Sequence, residues 1–239
     1  AGKSSGNLRR RRMNPPKKSF LTWLFILAGT ILLLFLTVPL ISSLVSIKPE
    51  LFFRLFGDQQ VLDSLKLTFG CALIAVVLGF LTAVPLGYLL ARYPFPGRDF
   101  IQALINLPII IPHTAAGIAL LMVFGRNGVF GNAFAKIGIT FTDQPAGIVV
   151  GMLFVSVPFL VNASRDAFSG TDPEIEQASR VDGANHWQTL IFVTIPQTWR
   201  GILSGALMMW ARGVSEFGAV VILAYHPKIM PVLVFERFQ

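Results

Sequence analysis

Residues 20–47 read FLTWLFILAGTILLLFLTVPLISSLVSI, a run that contains no charged side chain. A helix of roughly 20 apolar residues is long enough to cross a bilayer core of about 30 Å. The run is too long for the apolar core of a signal peptide, which has about 7 to 15 residues, and it has no A-x-A-like cleavage site. We therefore predict that it stays in the protein as a membrane-spanning helix.

The rest of the chain has the same apolar character. Of its 239 residues, 54% are hydrophobic and 13% are charged, whereas roughly 25% of residues are charged in an ordinary soluble domain. Further apolar segments that can cross a bilayer occupy residues 64–91, 100–124, 145–167 and 201–224. The sequence shows no alternation of strand and helix patterns. It predicts an all-α, multi-pass protein of the cell membrane, with a bundle of about five transmembrane helices in a membrane domain at residues 20–239.

The third segment is interrupted in its middle. Pro108, Pro112 and His113 lie there, and because proline removes a backbone donor and clashes with the preceding turn, the helix is predicted to bend or break. No second His or Cys stands at ligand spacing from His113, which favours a hydrogen-bonded helix residue over a metal ligand. The single cysteine, Cys71, lies in an apolar run and is assigned to packing.

A basic segment, residues 1–19, precedes the first apolar run and contributes to the formal charge of +8. Lysine and arginine beside a membrane helix keep that end in the cytoplasm, so we predict a cytoplasmic N-terminus rather than nucleic-acid binding. Met13 is a natural start, and residues 1–12 are interpreted as an expression remnant. Five crossings would then place residues 165–200 in the cytoplasm and Gln239 outside.

The polar stretch at residues 165–200 has the pattern of two short helices. Asp172-Pro173 combines a capping side chain with proline at the first helical position, and Gly183 fits a helix stop about ten residues later. A second helix can begin at Asn185, before Pro196 opens the next membrane segment. Two short helices at a membrane surface indicate a contact with a partner, although an ordinary amphipathic surface hairpin has the same pattern.

Part of this stretch resembles the E-A-A-x3-G-x9-I-x-L-P loop of ABC importer permeases. The matching residues are Gln177-Ala178-Ser179, Gly183 and the Val-Thr-Ile-Pro sequence at residues 193–196. Gln177 replaces the glutamate, which leaves open whether Glu176 or Gln177 has the acidic role. The resemblance implies a coupling helix, within residues 168–199, that sits in a groove of a separate ATPase subunit. The coupling residues it implies are Glu174, Glu176, Gln177, Ala178, Ser179, Gly183, Trp187 and Pro196.

Three further segments, residues 92–97, 107–117 and 210–219, resemble the sulfate, molybdate and tungstate importer permeases. The Ser-Glu-Phe-Gly-Ala form at residues 215–219 is closer to the molybdate and tungstate branch, and a sulfate or thiosulfate permease is the alternative. The resemblance covers nearly all of residues 20–239. It implies a homodimer with two ATPase subunits and an external oxoanion-binding protein, importing the anion by alternating access. Family members usually carry one more membrane helix, so this bundle is expected to lack a final helix.

Two opposite charges lie in the fifth segment, at Arg212 and Glu216. Together they would cost on the order of 5 to 7 kcal/mol at the bilayer centre, so they cannot face lipid unpaired. At a spacing of four residues they can pair on one helix face. Both a structural ion pair and a feature that lines or gates the anion route remain open. The candidate pathway residues are Thr114, Arg212, Ser215 and Glu216.

Catalysis is not predicted for this chain. Gly2-Lys3-Ser4 lacks the upstream glycine, the preceding strand and the following helix of a phosphate-binding loop, so ATP and magnesium are assigned to the separate ATPase and no cofactor or metal to this chain. A membrane-embedded enzyme would need a nucleophile with a base, or a metal set in register, and neither pattern is present. A self-contained secondary transporter also has broken helices and buried charges, but it gives no reason for the glycine-centred loop.

Overall fold

The structure is a computed structural model that describes residues 20–47, 55 and 57–238. By contact the chain divides into two units, residues 1–57 and 58–239. The basic segment at residues 1–19, with its interpretation as partly an expression remnant and as a cytoplasmic anchor, lies outside the described residues. In the first unit, α1 (Phe20–Val45) is a 26-residue apolar helix with no buried residue, which is the surface expected of a helix that meets lipid.

The second unit is also helical, and the described residues contain no strand. This confirms the predicted all-α class. A π-helical turn, Leu190–Thr194, joins the short helix His186–Thr189 to the helix Ile195–Val214. The helices are α2 (Gln59–Arg92), α3 (Arg98–Ile110), α4 (His113–Phe124), α5 (Val129–Ala135), α6 (Pro145–Ser169), α7 (Pro173–Val181), α8 (His186–Thr189), α9 (Ile195–Val214), α10 (Gly218–Leu223) and α11 (Met230–Phe238).

Three of the described helices, α1, α2 and α6, are long and apolar enough to cross a membrane, and α3 with α4 can form a fourth crossing. α3 and α4 meet at an angle of 112°. Ile111 has φ −71° and ψ 136° at the bend, because the proline that follows disfavours the helical conformation in the residue before it. The prediction of a bent or broken third segment is confirmed, and the count of five crossings stays a prediction.

The fifth segment differs from its prediction as one continuous helix over residues 201–224. α9 begins earlier, at Ile195, and ends at Val214, and the short α10 follows only after residues 215–217. The break has a hydrogen-bonding cause. Glu216 Oε1 accepts a hydrogen bond of 2.8 Å from the backbone N–H of Ala219, so this carboxylate satisfies a donor in the first turn of a new helix.

Small residues bring the central helices of the second unit close together. A Cβ added at Gly87 of α2 would lie 2.7 Å from the Cβ of Ser164 in α6. On α9, a Cβ added at Gly205 would lie 2.4 Å from the Cβ of Ala163, also in α6. Close contact through small residues is typical of helices in membranes. α6 is therefore packed between α2 and α9, and larger side chains at these glycines would separate the helices.

Candidate functional site

The surface loop comprises residues 170–194, and its first half is α7. Local signals in the sequence set both ends of this helix. Asp172 Oδ1 accepts a hydrogen bond of 2.9 Å from the Glu174 N–H at the start. At the end, Gly183 has φ +94°, and the N–H groups of Gly183 and Ala184 donate to the carbonyls of Arg180 and Ser179 at 3.1 and 3.0 Å. This is the Schellman arrangement. The predicted start and stop of this helix are confirmed.

The second half of the surface loop runs directly into a membrane helix. Asn185 and Gln188 form a capping box in which each side chain accepts a hydrogen bond from the other residue's backbone N–H, at 2.9 and 2.8 Å. α8 then passes through the π-helical turn into α9 without a break, and Pro196 lies in the first turn of α9. The predicted second short helix thus begins directly after its cap at Asn185, but it continues into the N-terminus of α9 instead of forming a separate element.

Large apolar side chains of the surface loop are exposed in the single chain. The exposed fractions are 87% at Val181, 72% at Trp187 and 73% at Phe192. Gln177 and Ala178 are exposed on α7 as well. Exposed apolar groups of this size are typical of surfaces that contact another protein.

Glu176 lies on the inner side of α7, in contrast to Gln177. Its carboxylate Oε1 is 2.7 Å from Nη2 of Arg92 and accepts a hydrogen bond of 3.0 Å from the Thr194 hydroxyl. Only 7% of the Glu176 side chain and 12% of the Arg92 side chain are exposed. Gln177 is therefore exposed on the outer face of α7, and Glu176 is engaged within the chain. Sequence reasoning missed Arg92 and Thr194, since no spacing rule connects them with position 176.

The candidate pathway residues form a second cluster, around the breaks in the helices. Arg212 Nη2 is 2.8 Å from Glu216 Oε2 and 2.7 Å from His113 Nε2. Arg212 Nη1 lies 3.4 Å from the Ser215 hydroxyl, and Thr114 follows His113 at the exposed start of α4. The predicted pairing of Arg212 with Glu216 occurs, although Glu216 lies beyond the end of α9. His113 joins this cluster as a hydrogen-bonding residue.

This second cluster lies at the level of the middle of α6. A Cβ added at Gly213 would be 3.7 Å from the Cβ of Met152 and 3.9 Å from the Ser156 hydroxyl oxygen, and both residues are close to the centre of the 25-residue α6. Glu216 is only 1% exposed, whereas 22% of the Arg212 side chain is exposed. The Glu216 carboxylate is covered and the Arg212 guanidinium reaches the surface. The cluster therefore presents hydrogen-bond donors at the level of the middle of α6, which is called mid-depth below.

An amide cluster joins α3 to α6 nearer the end of α6 that leads into the surface loop. Gln102 Nε2 donates to Asn162 Oδ1 at 2.6 Å, and Asn162 Nδ2 donates to Asn106 Oδ1 at 2.7 Å. All three side chains are half-buried. Sequence reasoning missed this cluster, but isolated amide side chains within apolar segments were a visible signal, because such residues need a polar partner in a membrane.

Metal binding finds no support in the described part of the chain, which contains no group of three or more His, Cys, Asp or Glu side chains suited to hold an ion. His113 instead contacts Arg212 at 2.7 Å. The arrangement around Arg212 can hold an anion by charge and hydrogen bonds, and it contains no nucleophile and base in contact.

Two kinds of comparison identify the family. The model of the family described as "Binding-protein-dependent transport system inner membrane component" matches residues 83–234. The molybdate/tungstate transport system permease protein of Pyrococcus furiosus is 39% identical over 225 residues, covering 93% of this chain and 85% of that protein. The corresponding permease of Thermococcus kodakarensis is 36% identical over 227 residues, covering 93% and 86%. The sulfate transport system permease protein of Escherichia coli is 31% identical, covering 88% and 80%.

Solved structures agree on the fold. A bacterial ABC transporter that imports the acidic polysaccharide alginate matches with a TM-score of 0.71 at 19% identity, covering 91% of this chain and 83% of that one. A second alginate transporter structure, determined with a pentasaccharide-bound periplasmic protein, matches with a TM-score of 0.59 at 20% identity. The fold is that of an importer permease. The chain belongs to the family of inner membrane components of binding-protein-dependent transport systems.

Proposed function

We propose that this chain is the permease subunit of an ATP-driven importer for molybdate or tungstate. The anion is received from an external binding protein and released to the cytoplasm by alternating access. The observation that carries the proposal is the position of Arg212, whose guanidinium reaches the surface at mid-depth beside His113, while its counter-ion Glu216 is buried. The relatives of 36% and 39% identity with molybdate and tungstate in their names support this choice of substrate.

A second copy of this chain covers the polar surface around Arg212. His113, Thr114 and Ser215 are exposed in the single chain at the level of the middle of α6. Polar groups at this depth are costly against lipid and are found facing protein or a water-filled cavity. A homodimer with this surface at its axis encloses an aqueous route between two Arg212 side chains. Molybdate and tungstate are tetrahedral dianions, and the two guanidinium groups can donate hydrogen bonds to such an anion while each stays paired with Glu216.

Two separate ATPase subunits bind the two surface loops of the homodimer and hydrolyse ATP with magnesium. Val181, Trp187 and Phe192 supply the exposed apolar contacts, and Gln177 supplies a polar one on α7. ATP binding draws the ATPase subunits together, and the surface loops follow them. The breaks at residues 111–112 and 215–217 lie beside the Arg212 cluster, so the route can open and close where the backbone is already bent.

Uptake by the reconstituted importer tests this function. The permease is placed in liposomes with its ATPase subunits and its binding protein, and uptake of labelled tungstate and molybdate is measured with and without ATP. We expect uptake that requires ATP and is not displaced by excess sulfate. Efficient displacement by sulfate would favour the sulfate permease alternative. Uptake by the permease alone, driven by an ion gradient, would contradict the proposal in favour of a secondary transporter.

A further inference from the structure

One carboxylate connects three helices at the end of the bundle that carries the surface loop. Glu176 belongs to α7, Arg92 is the last residue of α2, and Thr194 is the last residue of the π-helical turn before α9. Glu176 Oε1 is in contact with both partners, at 2.7 Å from Arg92 Nη2 and 3.0 Å from the Thr194 hydroxyl. Arg92 Nη2 also donates to the Thr171 hydroxyl at 3.2 Å.

This pair is not needed to form α7 itself. The start of α7 is satisfied by Asp172 and its end by the turn at Gly183. Arg180, the basic residue nearest on α7, directs its Nε to the Glu176 backbone carbonyl at 3.3 Å. Burying an ion pair costs desolvation that the pair's own attraction only partly offsets. A buried pair in a helix that is already capped therefore indicates a role between elements.

Arg92 is the connection between α2 and the surface loop. In the described part of the chain, the hydrogen bonds and ion pairs that α2 makes to residues 170–194 all come from Arg92. Around the pair lies a cavity of about 280 Å³, lined by side chains that include Tyr88, His186 and Thr189. Side-chain contact rather than close helix packing joins α2 to α7 here.

We propose that Arg92 and Glu176 are the positioning residues that transmit movement of α7 to α2 and α9 together. The inference rests on the proposed function and assigns to it two residues inside the chain. Covalent continuity connects the surface loop only to α6 and α9, on either side of it. α2 also packs on α6 and α9 within the bundle, but its ion pair with α7 is the Arg92–Glu176 contact, so a displaced α7 acts on α2 directly through this contact.

The test is the amount of tungstate imported per ATP hydrolysed by the complete importer in liposomes. Glu176→Gln keeps the shape and the acceptor for Thr194 but removes the charge that holds Arg92. We expect ATP hydrolysis to continue and the ratio of tungstate to ATP to fall by about fivefold or more, the range of ordinary coupling between sites. Asp166→Asn is the matched control, because Asp166 pairs at 2.6 Å with its neighbour Arg165 on the same helix. Its ratio should stay at the wild-type value.

A wild-type ratio in Glu176→Gln, or an equal fall in Asp166→Asn, overturns the inference. If Glu176→Gln fails to assemble, Arg92→Met and Thr194→Val decide the question, because each leaves the carboxylate one of its two partners. A lower ratio in these assembled variants supports the inference, and unchanged ratios overturn it. Wild-type importer in the same liposomes separates the two proposals, since absence of ATP-driven tungstate uptake there would contradict the function itself.

Discussion

The part of the chain that the structure describes contains two largely buried Arg–Glu pairs, which share their chemistry and differ in which charge remains exposed. At the surface loop, Arg92 and Glu176 are 84 residues apart, and 12% and 7% of their side chains are exposed. At mid-depth, Arg212 and Glu216 are an i, i+4 pair. Of their side chains, 22% is exposed at Arg212 and 1% at Glu216. The first pair uses both charges to join helices. The second hides its negative charge and leaves part of its positive charge available to a ligand.

The largest expected effect comes from breaking the mid-depth pair on one side. Arg212→Leu leaves Glu216 buried without its counter-ion, which should reduce stability by about 3 to 5 kcal/mol, whereas apolar replacement of both residues is often tolerated. Thermal unfolding in detergent measures this difference. The proteins compared are Arg212→Leu, Glu216→Leu and the double variant that carries both changes. Additive losses would show that the pair is not coupled.

Oxoanion uptake by the double variant, Arg212→Leu with Glu216→Leu, then shows whether the pair has a structural role or acts on the transported anion. If it folds and assembles with its ATPase subunits but imports no oxoanion, Arg212 acts on the anion. If it imports at the wild-type rate, the mid-depth pair is structural and the contrast with the Arg92–Glu176 pair disappears.

The next largest effect is expected at the exposed side of the surface loop, opposite the inward Glu176. Trp187→Ala should leave permease stability within about 0.5 kcal/mol of wild type and weaken ATPase binding by roughly 2 kcal/mol, because buried tryptophans dominate many interfaces. Binding of the ATPase subunit to the permease in detergent measures it. Phe100→Ala is the control, since Phe100 on α3 is also 72% exposed but lies outside the surface loop.

A smaller effect should follow from changing the turn that orients α7 and thereby Glu176. Gly183→Val places a β-branched residue at φ +94°, at a cost of around 1 kcal/mol or more. No atom lies within 4 Å of a Cβ added there, so the effect is one of backbone conformation alone. We expect ATP hydrolysis without matching uptake. Gly183→Asn, which tolerates positive φ, should retain uptake, and equal losses in both variants would contradict this explanation.

The smallest effect is expected in the amide cluster, where no charge is involved. Asn162→Leu removes the hydrogen bonds to Gln102 and Asn106, and such bonds between membrane helices contribute on average about 0.6 kcal/mol. A small decrease in the midpoint of thermal unfolding should result. Thr82→Val is the control, because the Thr82 hydroxyl donates only to carbonyls of its own helix, at 3.0 and 3.3 Å. A larger loss in the control would contradict a role for the amides in joining α3 to α6.

Local signals in the sequence predicted the parts of the molecule that depend on neighbouring residues. Asp172, Gly183 and Asn185 act within a few positions of themselves, so their pattern was enough to predict where α7 begins and ends and where α8 begins. The break at residues 215–217 was not predicted: Ser215 and Glu216 interrupt the apolar pattern there, but only the structure shows that Glu216 accepts a hydrogen bond from the backbone of the next helix. Arg92 with Glu176, and Gln102 with Asn162, are 84 and 60 residues apart, and only the packing of the helices brings them together.

The continuous helical backbone from α8 through the π-helical turn to α9 makes residues 186–214 one lever. At 1.5 Å per residue its length is roughly 40 Å. A tilt of about 10° around one end of such a lever displaces the other end by roughly 7 Å. Trp187 lies near one end and Arg212 near the other. If residues 186–214 rotate as one body, a small rotation at the surface loop becomes a displacement of about 7 Å at the end that carries Arg212.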